Sequence, residues 1–392
     1  MSGDSAHHAA DADGRRPRVV ILRGHQANPW ELGPWSAPPV AERYDVVYAR
    51  SHRGWFDSGA IELAPRRAWT LRDLLPAGPL GDLAVRLPGD RYLGLGRVIR
   101  GADIVHTQEL GYWYSAQAAR LKRRFGYRLV TTVWETIPLL DAYRNIRTRP
   151  YRAVVLRETD LFLAATERAR IALLLEGAAP ERILVCPPGV VAIPRVHDGV
   201  TDRSAEALVL SPGRLVWEKG HQDVMRAAAL LERGFAGPPL SVRVVIVGRG
   251  PDEARLRSYA HDLGLQDRVE FRGMIPYEQM LGLYAQATCV VLASLPTWSW
   301  EEQFGMVLAE AMQAGRPIIA SSSGAIPEVA GSSARYFSPG DWPGLARLIG
   351  ALIGGESDGG TELVGDAARY TIDAAAARIA GAYETVLGQA ME

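Results

Sequence analysis

"ALVLSPGRLVWEKG", Ala207–Gly220, followed after a helix-length interval by "VRVVIVG", Val242–Gly248, decides the fold. Both apolar runs are continuous rather than alternating, as in strands covered on both faces, and together they make a strand–helix–strand unit of a parallel sheet. The pattern continues downstream with "RVEFRG", "TCVVLAS", "RPIIAS" and "ARYFS". Upstream an earlier series runs through "RVVIL" (Arg18–Leu22), "YDVVYA" (Tyr44–Ala49), "ADIVHT" (Ala102–Thr107), "RLVTTV" (Arg128–Val133), "DLFLAA" (Asp160–Ala165) and "RILVC" (Arg182–Cys186). Two such series predict an α/β protein of two doubly wound, Rossmann-like parallel-sheet domains, in keeping with a chain of 392 residues that exceeds one ordinary core. The expected divisions are a disordered tail at 1–16, an N-terminal domain at 17–195, a linker at 196–206 and a second domain at 207–366. A terminal helix within 367–392 is expected to pack back on the N-terminal domain. Open parallel sheets bind ligands outside the carboxyl ends of their strands, so two facing domains predict a shared cleft.

Composition narrows the class. The polar start and the lack of an apolar run of about 20 residues place the chain in the cytoplasm at this stage. Cys186 and Cys289 sit in strand-like runs and read as buried thiols, not as a disulfide or metal framework. The "DAD" at Asp11–Asp13 belongs to the tail, so no metal site is expected. Formal net charge is zero, yet residues 1–195 hold 28 of the 44 basic and only 20 of the 44 acidic residues. That excess of eight positive charges suits an anionic small molecule or a peripheral membrane contact, a solvated arginine face being the plainer reading; no nucleic acid partner is expected. Only Lys122 and Lys219 are lysines. In a chain that otherwise uses arginine, a retained lysine points to a position that needs a compact charge on a flexible stem.

Arg214 and Lys219 lie at a strand-to-helix junction, where unpaired N–H groups already favour an anion. They suit a diphosphate; a surface ion pair of Lys219 with Glu218 is the structural alternative. In "EEQFGMVLAEAMQAG", Glu301–Gly315, Gly305 permits a backbone conformation closed to other residues, and a helix follows from Met306. Glu302 falls in the loop before that helix and Glu310 about one turn inside it. The pair could cap a helix or grip a ligand; carboxylates taking hydroxyls beside a helix mouth suit a sugar linked through a diphosphate to a ribose.

These stretches resemble the retaining glycosyltransferases of family four, with the two-domain glycosyltransferase B-type fold. The resemblance rests on "SPGRLVWEKG", "VGRGPDEARL", "FRGMIPYEQM", "EEQFGMVLAEAMQAGRPIIAS" and "GAIPEVA", and less strictly on "ADIVHTQE", "RLVTTVWE", "LFLAATERAR" and "ILVCPPGV". It implies a metal-independent transfer from a nucleotide-diphosphate sugar to a hydroxyl acceptor, with that sugar as co-substrate and no cofactor. By position it implies that Arg214 and Lys219 hold the diphosphate, Glu310 the ribose and Glu302 the donor sugar. Phe304, Gly305, Met306 and Val307 would border the phosphates and sugar, Gly273 and Met274 the nucleobase, and Gly24 a glycine turn beside the phosphates.

The chain departs from the family at Trp134, where a histidine is common. An indole only donates, so the resemblance implies an altered donor sugar. On the acceptor side the candidates are His25, Asn28, Trp30, His106, Trp134 and Glu135, and the acceptor itself is a small molecule, a glycan or a lipid-linked compound. His106 reads more readily as a hydrogen-bonded strand-end histidine. Trp35, Trp55, Trp69 and Trp113 read mainly as core, and "RLKRRFGYR" as a solvated helix face. A sugar-nucleotide epimerase of the same fold and a non-catalytic nucleotide-sugar sensor are the alternatives. A pyridoxal-linked phosphorylase is not expected with two lysines.

Overall fold

A computed structural model of the chain describes residues 15–54, 59, 61–76, 78–86, 90–140, 146–193, 207–235, 237–355 and 367–388. Two units emerge. One runs to Gly189 and takes up the chain again at Ile372, and the other spans Val190–Thr371. The division comes earlier than the expected residue 195 because Val190 already belongs to the second unit: it bridges Thr371 in parallel and donates its N–H to Tyr370 O at 2.8 Å. The expected linker at 196–206, the tail before Arg15 and Trp55 lie outside the described residues.

In the first unit seven strands form one parallel sheet: β1 (Arg18–Gly24), β2 (Asp45–Arg50), β3 (Ala64–Arg67), β4 (Ile104–Gln108), β5 (Arg128–Val133), β6 (Leu161–Ala164) and β7 (Ile183–Val185). Their order is β3-β2-β1-β4-β5-β6-β7, so the winding reverses between β1 and β4. Alternate residues serve opposite faces. Val20, Leu22, Val105 and Leu129 enter one core; Val19, Ile21, Ile104 and Val130 enter the other. Side chains buried this completely contribute about 2 kcal/mol each. The six strands read from the sequence are present, but β3 is not among them. Its "APRR" has no apolar run, and its proline fits an edge strand paired only to β2.

The second core of this unit is closed by the terminal helix Ile372–Gly388, whose Ala376, Ile379, Tyr383 and Val386 face the sheet. Tyr383 is tied by polar contacts as well: the Trp35 indole donates to its hydroxyl at 2.8 Å, and that hydroxyl lies 2.6 Å from His106 Nδ1.

The second unit repeats the plan with β8 (Ala207–Pro212), β9 (Val242–Val247), β10 (Val269–Arg272), β11 (Cys289–Leu292), β12 (Ile318–Ser321) and β13 (Ala334–Phe337). The order β10-β9-β8-β11-β12-β13 puts its reversal between β8 and β11. Among the described residues no helix is long and apolar enough to cross a membrane. Cys186 and Cys289 are free buried thiols.

Candidate active site

At the β8/β11 reversal, the loops leaving the two strands diverge, and the residues that follow each strand meet in the opening between them. Past β8, a tight turn at Trp217–Lys219 ends in Gly220, which has φ +71° and starts the helix His221–Glu232. A Cβ on Gly220 would stand 1.9 Å from Ala293 O, so only glycine lets the two loops lie this close. Leu295 N–H donates to Glu218 O at 2.8 Å and ties them.

Across this junction the Lys219 ammonium donates to Glu302 Oε2 at 2.7 Å, and Ser294 Oγ donates to the same oxygen at 2.6 Å. The Lys219 and Glu302 side chains are only 14% and 8% exposed. The ammonium also sits 5.2 Å from the centre of the Trp300 ring. The expected alternative of a surface pair with Glu218 is thus replaced by a mostly buried pair with Glu302. Arg214, on the same loop, is exposed, and among the described residues its guanidinium has no ion-pair partner.

His221 holds this loop, and sequence reasoning missed it. Its Nε2 lies 3.1 Å from Arg214 O, which can only accept, so Nε2 carries the proton and Nδ1 accepts from Ser211 Oγ at 2.9 Å. Burial lowers its pKa to about 4, so the ring stays neutral beside Lys219 and Arg214. The only available signal was its place directly after "EKG". The "GRG" at Gly248–Gly250 also proves structural: a Cβ on Gly248 or Gly250 would meet Gly213 O at 1.9 Å or Leu215 O at 2.2 Å. These glycines let the β8 and β9 loops pack together.

Glu302 does not cap the following helix, Met306–Gln313, which starts from Gly305 at φ +81° without a side-chain cap. Its backbone is fixed instead by Ala325 N–H, which donates to Glu302 O at 2.8 Å. The first-turn amides of Met306 and Val307 have no carbonyl partners within the helix and remain available to an anion. Phe304 is 1% exposed and packs edge-on against Tyr370, so its side chain is core and only its backbone can border a ligand.

Glu310, partly exposed on that helix, takes the Tyr284 hydroxyl at 2.5 Å. The two glutamates therefore have separate partners. Loss of solvent pushes the Glu310 carboxyl up to about 7, the Tyr284 hydrogen bond opposing this only in part. Because the folded pKa lies above the unfolded value, stability from Glu310 is full below about pH 4.5 and is lost as pH rises through about 7. Denaturation midpoints should accordingly fall between about pH 5 and 8, and Glu310→Gln should flatten that slope. An unchanged slope in the variant would refute the assignment. Gly273 lies beside the Arg249 side chain, and Met274 is 59% exposed next to it.

In the first unit, Gly24 ends β1 at φ +55° and donates its N–H to the Tyr92 hydroxyl at 2.7 Å. His25 and Asn28, expected at an acceptor rim, are 6% and 2% exposed. His25 is hydrogen-bonded to buried Asp90, and its Nδ1 lies 2.8 Å from Arg53 O and 2.6 Å from Ser51 Oγ. Burial alone would lower its pKa; the bond to Asp90 and the Arg53 carbonyl outweigh it and raise the value. Asn28 caps the helix Pro29–Ser36 by accepting from Glu31 N–H at 2.8 Å. His106 is fully buried between Tyr383 and Thr132, and burial holds it neutral. These three side chains hold the scaffold. Trp30 is 44% exposed, and Trp134 and Glu135 are partly exposed beyond the end of β5.

The family model described as "Glycosyl transferases group 1" matches residues 196–362, and that described as "Glycosyltransferase Family 4" matches residues 64–192. A D-inositol 3-phosphate glycosyltransferase of Acidothermus cellulolyticus is 32% identical over 275 residues, covering 64% of this chain and 59% of that protein. The chain thus spans about three fifths of the length of that relative and of the same-named protein of Nocardia farcinica. Among solved structures, Anabaena HepE in complex with UDP is similar over 95% of this chain and 97% of that one, with TM-score 0.66 and 19% identity. A putative UDP-N-acetylglucosamine 2-epimerase from Listeria monocytogenes is similar over 96% and 98%, with TM-score 0.63 and 15% identity. At these identities the likeness is one of fold, and that fold is the glycosyltransferase B-type.

Proposed function

We propose that this chain, which belongs to the glycosyl transferases of group 1 and family 4, moves a sugar from a nucleoside-diphosphate donor to a hydroxyl acceptor with retention at the anomeric carbon. The observation that carries the reading is the Lys219–Glu302–Ser294 junction at the strand reversal of the second unit, with the exposed Arg214 on the same loop. A departing diphosphate develops negative charge, and two cations beside unpaired helix amides can stabilise that charge once the donor is bound. On this account the diphosphate takes Lys219 from Glu302, and the released carboxylate accepts hydroxyls of the donor sugar. The family's usual course has the acceptor attack on the face from which the diphosphate leaves, with the leaving phosphate taking the proton. Metal independence, the lack of a cofactor beyond the co-substrate, and a cytoplasmic location belong to the same proposal. So does a small-molecule, glycan or lipid-linked acceptor.

UDP-sugars are the donors to try first, since a neighbour in fold was solved with UDP. Incubating each donor with and without acceptor, in buffer containing a chelator, tests the reading. Acceptor-dependent release of the nucleoside diphosphate with unchanged rate under chelation is expected. A donor whose sugar is epimerised without any acceptor would instead establish the epimerase.

Trp134 gives a further test. It lies at the end of β5 and lines a cavity in the first unit. Replacing the indole by an imidazole adds an acceptor nitrogen, so Trp134→His should shift the ratio of kcat/KM between two donor sugars by about tenfold. Identical ratios across a donor panel would remove Trp134 from the donor's surroundings.

A further inference from the structure

The turn that follows β11, "PTWSWEE" at Pro296–Glu302, carries two tryptophans two residues apart. Thr297 and Trp300 face each other across it in an antiparallel bridge, and Thr297 N–H donates to Trp300 O at 2.7 Å. The bridge sends the two indoles to different places. Trp298 is 72% exposed, whereas Trp300 is partly buried with its ring centre 5.2 Å from Lys219 Nζ. Two residues further on, Glu302 accepts from the same ammonium at 2.7 Å. One short segment thus holds Lys219 twice, by a ring face and by a carboxylate.

The two holds differ in what they leave behind. Glu302 occupies an N–H of the ammonium and offsets its charge. The ring face attracts the cation through its quadrupole, takes up no particular N–H and offsets no charge. With the Lys219 side chain only 14% exposed, little water competes with that attraction. The stem is placed as well: a Cβ on Gly213 would stand 3.6 Å from Lys219 Cδ, so the methylenes run along bare backbone there. Among the described neighbours, Arg214 carries the same charge as Lys219, and His221 is neutral and tied to Ser211 and the Arg214 carbonyl, so neither can replace the ring.

A lysine held by its counter-ion alone would follow that carboxylate when it turned, or swing into solvent on its four-carbon stem. Held also by the ring, the ammonium can stay in place while Glu302 moves. We propose that Trp300 is a positioning residue of the donor site, whose indole keeps the Lys219 ammonium at the junction when the diphosphate displaces Glu302. Its part in transfer rests on the transferase reading above, but the hold on the ammonium belongs to the donor-free protein and is measurable without turnover.

The chain has only two lysines, Lys122 and Lys219, so isotope-labelled lysine gives a magnetic-resonance spectrum of two side-chain signals, assigned through Lys122→Arg. In the full chain the ε-protons of Lys219 should resonate upfield of their position in Trp300→Leu, because they lie over the ring face. That displacement between the two proteins should persist with UDP bound. In steady-state transfer Trp300→Leu should lower kcat about tenfold with a smaller change in donor KM, and Trp300→Phe should stay within about threefold of the wild type. Trp300→tetrafluorotryptophan keeps the shape of the side chain but removes the negative charge from its face, and should fall about as far as Trp300→Leu. A full rate with the fluorinated ring would mean that the indole only fills space and would overturn the inference. A Lys219 signal at the same position in wild type and Trp300→Leu would overturn it too. No response to UDP, with the ring displacement present, would instead count against the transferase reading and leave the hold on the ammonium in place.

Discussion

Lys219→Ala is expected to lower kcat for sugar transfer by about 10³-fold, the effect of removing one preorganised donor from a developing anion. The change should fall mainly on kcat, because the ammonium is already paired with Glu302 in the donor-free protein and gains most when the diphosphate becomes more negative. Lys219→Arg should restore little of the rate. The ammonium sits in a junction fixed by Gly220, Ser294 and Trp300, and a planar guanidinium does not share its geometry. Steady-state kinetics with a saturating donor decide the matter, and a loss smaller than about tenfold would mean that Lys219 only maintains the loop.

The second large effect is on stability. Glu302→Ala leaves the Lys219 charge, 14% exposed, without its counter-ion, and should destabilise the donor-free protein by about 3 kcal/mol. Removing both partners, as in Lys219→Met with Glu302→Leu, should cost much less than the sum of the single changes. A bound nucleoside diphosphate should recover part of the Glu302→Ala loss by supplying the missing anion. Chemical denaturation of the four proteins gives the cycle. A cost below about 1 kcal/mol for Glu302→Ala would put the pair among ordinary surface ion pairs.

Both effects arise from a contact that the sequence could not display. The strands were legible because apolar runs buried on both faces are continuous, and the helix from Met306 because Gly305 marks its start. Arg214, Lys219, Glu302 and Glu310 could be singled out by residue type and by resemblance. The pairing of Lys219 with Glu302 was not legible, since it joins loops after β8 and β11 that only the parallel order brings together. His25, Asn28 and His106 illustrate the opposite limit. Each is a polar residue near a strand end, where scaffold and site look alike in sequence, and only their partners Asp90, Glu31 N–H and Tyr383 show that they hold the fold. Edge strand β3 was hidden because a strand paired on one side needs no apolar run.

The central claim is that the β8/β11 junction binds a diphosphate by taking Lys219 away from Glu302. A crystal structure of the chain with UDP tests it most directly. The account predicts the terminal phosphate within hydrogen-bond reach of Lys219 Nζ and the Arg214 guanidinium, with Glu302 turned toward the position of the sugar. A diphosphate bound elsewhere, with the Lys219–Glu302 contact still at 2.7 Å, would contradict it.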